Sequence, residues 1–312
     1  MPRMNLTHSP TGRSHVLAQH DGCPRDAFPI HSSGIAVATV NRKHGPATRV
    51  DSLHHGRHVA SGIEQHRKEM QRNRVRWEDK PALRAIYREF HRLIAAHLAP
   101  LESGAIVELG SGVADIRDVI PGCIRTDLFA HPDVARVENA YRLSFADSTV
   151  ASLILFDVFH HLRYPGEAFA EFRRVLLPRG RVIMFEPCIS MLGLLVYGLY
   201  HPEPLGLRTP IEWMAPAGWS PAETGYYAAQ ATAWRMFRKG EHRAEMSGWR
   251  TVTVCRLASL SYAASGGYTR PQFFPTAALP LMLGLDRILG RLPSFFATRM
   301  LVAVDKIPGN GE

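Results

Sequence analysis

The chain has 312 residues, of which 46% are hydrophobic and 21% charged, the composition of an ordinary globular protein. Its four cysteines form no CxxC pair and no cluster with histidine, which argues against a zinc site and a disulfide framework and favours a reducing, cytoplasmic location. Residues 1–76 carry +7 of the net charge of +9, so the nearly neutral remainder argues against nucleic-acid binding.

Residues 1–76 are predicted to form a disordered basic leader. They hold twelve basic and five acidic residues and show no lasting apolar periodicity. Nine of the sixteen histidines lie between His8 and His66, but no carboxylates or thiolates accompany them on a rigid frame, so no metal site is predicted. A transit peptide and a true start at Met70 are the alternatives for this segment.

Order is predicted to begin near Lys80, with an amphipathic helix whose apolar residues recur every three or four positions from Leu83 to Leu98. Apolar strands then alternate with helices, which indicates a mostly parallel sheet covered on both faces. The predicted strands are 105–109, 123–127, 135–140, 151–157 and 181–187, and the predicted helices are 114–119 and 166–177. Too few residues separate the second and third strands for a helix, so a loop is expected there.

The pattern changes after residue 187. An apolar helix is predicted over 189–200, too short to span a bilayer, and an irregular segment follows over 202–245. Two more strands are predicted at 249–257 and 298–306, with proline-interrupted helices between them. We therefore expect one elaborated domain over residues 77–312.

The segment "IVELGSGVAD", residues 106–115, predicts a strand, a glycine turn and a helix. Gly110 and Gly112 would let a ligand approach the backbone and the free N–H groups of the helix. The third glycine of a dinucleotide site is missing, and no P-loop motif is present. Acids end the first two strands, and Asp127 can accept hydrogen bonds from both hydroxyls of a ribose. A nucleoside without phosphate, S-adenosyl-L-methionine, suits this pattern.

Residues 105–187 resemble the class I S-adenosylmethionine-dependent methyltransferases of the ubiquinone/menaquinone type. The resemblance rests on "VELGSG", "TDLF", "LSFADSTVASLILFDVFHHL" and "RRVLLPRGRVIMFEP", which occur in family order. The chain departs from the family pattern at Ala114, Ser144 and Arg179, where many members have glycine, proline and glycine.

The resemblance implies a Rossmann-like, doubly wound α/β fold with a mostly parallel seven-stranded sheet. Helical insertions are expected after strand 5 and before the last strand. Residues 105–187 would then be the cofactor-binding core, and 188–245 and 258–297 would be insertions on the substrate side.

The resemblance also assigns the cofactor site. The glycine turn would hold the methionine end, with an acid orienting the turn and accepting from the ammonium group. The next strand would bind the ribose, and the segment after it would cover the adenine. The residues concerned are Glu108, Gly110, Ser111, Gly112, Asp127, Leu128, Asn139, Ala140 and Asp157. A plain tight turn and capping acids are the structural alternatives.

His160, His161 and Glu186 are the candidate catalytic residues, because imidazole and carboxylate groups at this sheet edge can move protons. Histidines with a purely structural role are the alternative, since methyl transfer depends mainly on alignment.

The predicted function is methyl transfer to an oxygen, nitrogen or carbon of a small lipophilic or sugar-linked acceptor. A non-catalytic S-adenosylmethionine-binding protein is the alternative, and a nicotinamide reductase is disfavoured. The apolar segments 189–200 and 276–292 suggest a lipophilic acceptor or contact with a membrane surface. The oligomeric state is not predicted.

Overall fold

The structure is a computed structural model that describes residues 56–222 and 225–309, with only the backbone described for 56–66. Seven strands form one sheet in this part of the chain. They are β1 (Ala105–Leu109), β2 (Cys123–Asp127), β3 (Arg136–Val137), β4 (Val150–Phe156), β5 (Leu176–Pro187), β6 (Trp249–Ala258) and β7 (Ala297–Lys306).

The helices of the described residues flank this sheet and fill its insertions. They are α1 (Gly56–Asp79), α2 (Pro81–Ala95), α3 (Pro165–Val175), α4 (Met191–Leu195), α5 (Thr232–Trp234), α6 (Leu260–Ser265), α7 (Leu279–Leu289) and α8 (Pro293–Phe296). Two of them continue as π-helical turns, α4 over Val196–Tyr200 and α5 over Arg235–Lys239. Within the described residues, no helix is long and apolar enough to cross a membrane.

The strand order is β3-β2-β1-β4-β5-β7-β6, and only β7 runs antiparallel to its neighbours. The predicted fold class is therefore confirmed, including helical insertions after β5 and before β7. The order reverses between β1 and β4, so the carboxyl ends of these two strands border a crevice. Ligands of open α/β sheets bind at such a point.

The sheet is buried on both faces because side chains alternate along each strand. On one face, Leu153 and Leu155 of β4 share a core with Phe169 and Phe172 of α3. On the other face, Ile154 shares a core with α2, whose buried residues are spaced as predicted. Two helical layers thus hold the crevice between β1 and β4 in place.

Two local predictions differ from the structure. The expected helix over 114–119 is only a 3-10 turn, Ile116–Asp118, with Asp115 accepting a hydrogen bond from Arg117 N at its start. The third strand, predicted over 135–140, is two residues long and pairs only with Thr126 and Asp127 of β2. That loop contains no helix, as the short spacing predicted.

Helix α1 contradicts the predicted disorder of residues 56–76, and the predicted domain boundary at residue 77 falls inside it. Its sequence is polar, so it lacks the periodicity that marks a buried helix. Tertiary contacts hold its end instead: the Trp77 ring lies edge-on to Tyr87 at 5.3 Å and near Tyr268 at 6.3 Å, and Arg74 pairs with Asp133. Residues 1–55 of the predicted leader lie outside the described residues.

Candidate active site

The glycine turn after β1 needs its glycines. Gly110 and Gly112 have φ of 64° and 53°, in the left-handed region that other residues rarely adopt. A Cβ on Gly110 would lie 2.5 Å from Cγ2 of Val158, whereas a Cβ on Gly112 would meet nothing within 4 Å. The turn is therefore tightly packed below and open at Gly112.

Asp127 lies beside this turn at the end of β2. Its Oδ2 is 3.3 Å from Gly112 N and 3.4 Å from Nε2 of His131. Ser111 N donates to the carbonyl of Thr126, which ties the two strand ends together. The Asp127 carboxylate and the glycine turn therefore lie next to each other at the sheet edge, as the predicted ribose site requires.

A buried ion pair supports the turn from beneath. Arg125 Nη2 donates to the carbonyls of Ser111, Gly112 and Ala114 at 2.9–3.2 Å, and its Nε lies 3.4 Å from Glu108 Oε2. Both side chains are buried, and burial raises the pKa of Glu108 to about 7, against the opposing effects of Ser111 and Arg125. Arg125 therefore links three carbonyls of the turn to Glu108.

The predicted adenine-side residues follow the carboxyl ends of β2 and β3. Leu128 is partly exposed, and Ala140 packs against the core under the sheet. The Asn139 side chain accepts from Tyr141 N and donates to the carbonyl of Pro221. Their contact with adenine stays a prediction.

Asp157 directly follows β4, has a φ of 55° and lines the cavity at the crevice. Its carboxylate forms a bidentate pair with Arg299 of β7, at 2.7 and 2.5 Å. The Arg299 guanidinium is buried among aromatic rings, with the centroids of Phe185 and Tyr262 both at 5.0 Å. Asp157 therefore joins the last strand to the crevice, and any contact with the cofactor would be additional.

His160 is held between two carboxylates. Its Nδ1 lies 2.6 Å from Glu186 Oε2, and its Nε2 lies 3.3 Å from Glu203 Oε2. Glu186 also accepts from the N–H groups of Val158 and Phe159, so its position is set by the backbone. Burial alone would lower the pKa of His160, but Glu186 and Glu203 raise it to about 10. His160 is thus a cation near neutral pH.

His161 differs from its neighbour. Its Nδ1 is 2.8 Å from the carbonyl of Tyr227, which can only accept, so Nδ1 carries the proton and Nε2 a lone pair. Burial lowers the pKa of His161, and the charge of His160 lowers it further. His161 is therefore a neutral imidazole with an accepting nitrogen.

Glu203 completes this group and comes from the insertion after β5. It accepts from the hydroxyl of Tyr226 at 2.9 Å and contacts the amide of Gln230. Burial alone would raise the pKa of Glu203, but the hydrogen bonds from His160 and Tyr226 and the charge of His160 lower it to about 2. We name His160, His161, Glu186 and Glu203 the histidine–glutamate cluster.

The spacing in this cluster could also suit a metal ion, since His160, His161 and Glu203 offer ligand atoms within 4.8 Å of one another. However, Tyr226 donates to one oxygen of Glu203, and His160 and Gln230 contact the other. Hydrogen bonds and ion pairing thus account for the cluster without a metal.

The turn and the cluster face one cavity of about 1940 Å³. Its walls include the glycine turn, Asp157, both histidines and Arg299, together with residues 68–76 of α1. Ligand pockets commonly measure roughly 300–1,000 Å³, so this cavity has room for a nucleoside and a second molecule. Asp127 and Glu108 lie behind the turn and do not line it.

The comparison with protein families agrees with this geometry. Residues 123–184, from β2 to β5, match the family model described as a methyltransferase domain. This match indicates a methyltransferase domain. The residues present fit its cofactor, S-adenosyl-L-methionine: the turn is open at Gly112, and a carboxylate lies beside it.

No curated protein matches the methyltransferase chain. Among solved structures, it is similar to geranyl diphosphate C-methyltransferase from Streptomyces coelicolor A3(2), with 14% identity, a TM-score of 0.39, and coverage of 70% of this chain and 75% of that one. The [4+2]-cyclase SpnF is similar at 15% identity, a TM-score of 0.40, and coverage of 70% and 80%. The YcgJ protein from Bacillus subtilis shares 16% identity at a TM-score of 0.37, with coverage of 68% and 95%. Likenesses this weak do not bear on the acceptor.

Sequence reasoning missed several residues of the methyltransferase site. Arg125 had a local signal, a charged residue inside an otherwise apolar strand, which indicates a buried partner. Arg299 stood in the last predicted strand with the same signal. Glu203 had none, because a glutamate in a proline-rich segment reads as a solvated loop residue.

Proposed function

We propose that this methyltransferase methylates a small acceptor bound in the cavity between the glycine turn and the histidine–glutamate cluster. The acceptor would be lipophilic or sugar-linked and would present a hydroxyl or another protonated group. The single cavity shared by the turn and the cluster is the observation that supports this proposal.

The cavity wall favours an acceptor with an apolar or planar part. Aromatic side chains line much of the cavity wall: Tyr87, Phe156, Tyr197, Tyr200, Tyr226, Tyr262 and Tyr268. Rings of this kind bind apolar and planar groups, and their hydroxyls supply a few polar contacts.

The wall also carries positive charge. Lys68, Arg72 and Arg76 of α1 and Arg270 of the loop after α6 line it, with Glu69, Asp157 and Glu203 as the acids. Asp157 and Glu203 already pair with cationic partners. The balance favours an acceptor that bears a negative or strongly polar group.

When bound, S-adenosylmethionine supplies a methyl group on a positively charged sulfur. The turn at Gly110 and Gly112 would hold its methionine end, and the Asp127 carboxylate would hold its ribose. His161 would accept the proton of the attacking acceptor group at Nε2, since that nitrogen is unprotonated and the side chain reaches the cavity. His160 and Glu186 would position this histidine rather than exchange protons.

Isothermal titration of the purified chain with S-adenosylmethionine tests the cofactor half of the proposal. Asp127→Ala should weaken binding by about tenfold to a hundredfold, because the ribose loses charge-assisted hydrogen bonds. Asp118→Ala, which removes an exposed carboxylate near the same turn, should bind like the parent. Equal affinity for Asp127→Ala and the parent would remove the ribose role.

Release of S-adenosylhomocysteine across a panel of lipophilic and sugar-linked acceptors tests the catalytic half. His161→Gln should lower kcat by about a hundredfold or more while leaving cofactor affinity unchanged. Cofactor binding without turnover on any acceptor would instead favour the non-catalytic alternative.

A further inference from the structure

An apolar surface lies beside the mouth of the cavity. We call it the apolar face and define it by Met191, Leu194, Leu195 and Leu199 of α4 and its π-helical turn, with Leu292 and Phe295 at α8. Each of these side chains is at least 45% exposed, and Leu199 reaches 72%. Single exposed leucines are ordinary, but a cluster of six marks an interaction surface.

The six side chains belong to one surface because α4 and α8 pack together. Ser190 Oγ, at the start of α4, donates to the carbonyl of Phe295 at 3.1 Å. A Cβ on Gly193 would clash with the Cys188 carbonyl and lie 3.2 Å from that of Ala297, so α4 sits directly on the sheet. The exposed side of each short helix is therefore its apolar side.

Helix α7 also exposes apolar side chains. Seven of its eleven residues are Leu, Ile or Met, yet none of the eleven is buried. Leu281 is 74% exposed and Ile288 60%. Residues 290–292 separate α7 from α8, which carries part of the apolar face. A helix this apolar needs a partner to cover it.

The flanks of the apolar face are basic. Arg270 lies over the Tyr200 ring, with its guanidinium carbon 5.4 Å from the centroid, and Arg256 Nη1 is 3.4 Å from Ser294 Oγ of α8. Residues 187–201 contain no Asp, Glu, Lys or Arg, and residues 256–291 contain four arginines and one acid, Asp286. Asp286 accepts from Leu260 N and Ser261 at the start of α6, which leaves arginine as the charge presented here.

We propose that the apolar face binds the surface of a membrane that contains anionic lipids. Apolar side chains between arginines are the pattern of helices that lie in the interface of a bilayer. Residues 1–76 are basic, so the arginines around the apolar face would repel them. A second copy of the chain would bring two sets of arginines together, which is also unfavourable. Lipid headgroups instead complement the arginines while acyl chains cover the leucines.

The position of the face relates it to the reaction. Val196 and Tyr200, on the same π-helical turn as Leu199, line the cavity. A lipophilic acceptor could therefore pass from the bilayer into the cavity without crossing water. This last step rests on the proposed function, whereas membrane binding itself does not.

Co-sedimentation of the full chain with vesicles tests the proposal. We expect binding to vesicles of phosphatidylcholine and phosphatidylglycerol, weaker binding to phosphatidylcholine alone, and weakening with salt because the arginines are screened. The double variant Leu199→Ser, Phe295→Ser should weaken binding by about tenfold or more. Both side chains lie outside the cavity, so cofactor affinity in titration should not change.

The matched control is Val137→Ser, Met214→Ser, which removes two exposed apolar side chains outside α4, α7 and α8. It should sediment like the parent. Absence of binding to either vesicle, or equal binding by the test variant and the parent, would overturn the proposal. A dimer in light scattering that the test variant dissociates, without vesicle binding, would assign the face to a second copy instead. Because cofactor titration is measured separately, these outcomes are distinct from failure of the proposed function.

Discussion

At the scale of single residues, the site depends on groups that face the backbone rather than the ligand. Gly110 adopts the left-handed backbone conformation that the turn requires, and Arg125 donates hydrogen bonds to three carbonyls of the turn. Such residues tolerate change poorly, because a buried polar group without a partner costs about 1–3 kcal/mol.

The two glycines of the turn should respond differently to alanine. Gly112→Ala should cost about 1–2 kcal/mol through its positive φ alone, since the space around its Cα is open. Gly110→Ala should cost more, because the new methyl would also clash with Val158. Urea unfolding measures both. Adding Val158→Ala should recover part of the loss at Gly110 and none at Gly112; equal recovery at both would contradict this account.

Arg125→Met should lower the free energy of unfolding by about 3–5 kcal/mol, because it leaves Glu108 buried without its partner. Glu108→Gln should cost less, since its amide oxygen can still accept from the guanidinium. The variants are compared by urea denaturation, with Arg117→Met, which breaks an exposed pair with Asp115, as the control. A small change in unfolding free energy for Arg125→Met would mean that the turn keeps its conformation without the Arg125 side chain.

At the scale of elements, single side chains join segments that are distant in sequence. Lys80, between α1 and α2, donates through Nζ to the carbonyls of Ser265 at 2.9 Å and Gly267 at 2.6 Å, and also contacts the carbonyl of Arg270. These carbonyls belong to the last residue of α6 and the loop after it, and residues 266–270 line the cavity. One lysine thus fixes a cavity wall to the start of the fold.

Lys80→Met should therefore loosen the loop 265–270, because three carbonyls lose their donor. Hydrogen–deuterium exchange, followed by mass spectrometry, should show faster exchange in peptides that cover this loop. Lys306→Met removes another buried lysine, whose Nζ donates to the carbonyl of Leu176, and should leave the loop unchanged. Unaltered exchange in Lys80→Met would show that packing alone holds the wall.

At the scale of the whole molecule, one face of the sheet buries a titratable group that lies outside the cavity. The α2 face encloses His91, which is 2% exposed and lies edge-on to Tyr87 and Phe156 at 6.0 Å. Burial lowers the pKa of His91 to about 4, and the nearby charges of Arg125 and Arg88 contribute. The folded state thus binds its proton less readily than the unfolded chain.

Stability should consequently fall as the pH drops from about 6.5 to about 4, because only the unfolded state takes up the His91 proton in that window. The contribution approaches about 3 kcal/mol at pH 4 and is absent above pH 7. His91→Phe keeps the ring and removes the titration. The difference in unfolding free energy between parent and variant, measured against pH, should shift by this amount; a constant difference would refute the assignment.

Much of the fold could be predicted because local sequence patterns determine its strands and the glycine turn. Apolar runs rich in β-branched and aromatic residues located all seven strands, and the spacing after Asp127 correctly excluded a helix there. The turn at Gly110 and Gly112 and the carboxylate beside it were also predictable, since parallel strands end at the same sheet edge.

Only the tertiary structure decided what surrounds that edge. Helix α1 is polar and shows no periodicity, so its place in the cavity wall follows from contacts such as Trp77 on Tyr87. Arg299 meets Asp157, and Glu203 meets His160, across strands and insertions that no sequence spacing relates. Local patterns determine elements because each residue's burial follows the period of its own helix or strand. Pairs of charges form where the folded chain brings distant segments together, and a linear sequence does not state that distance.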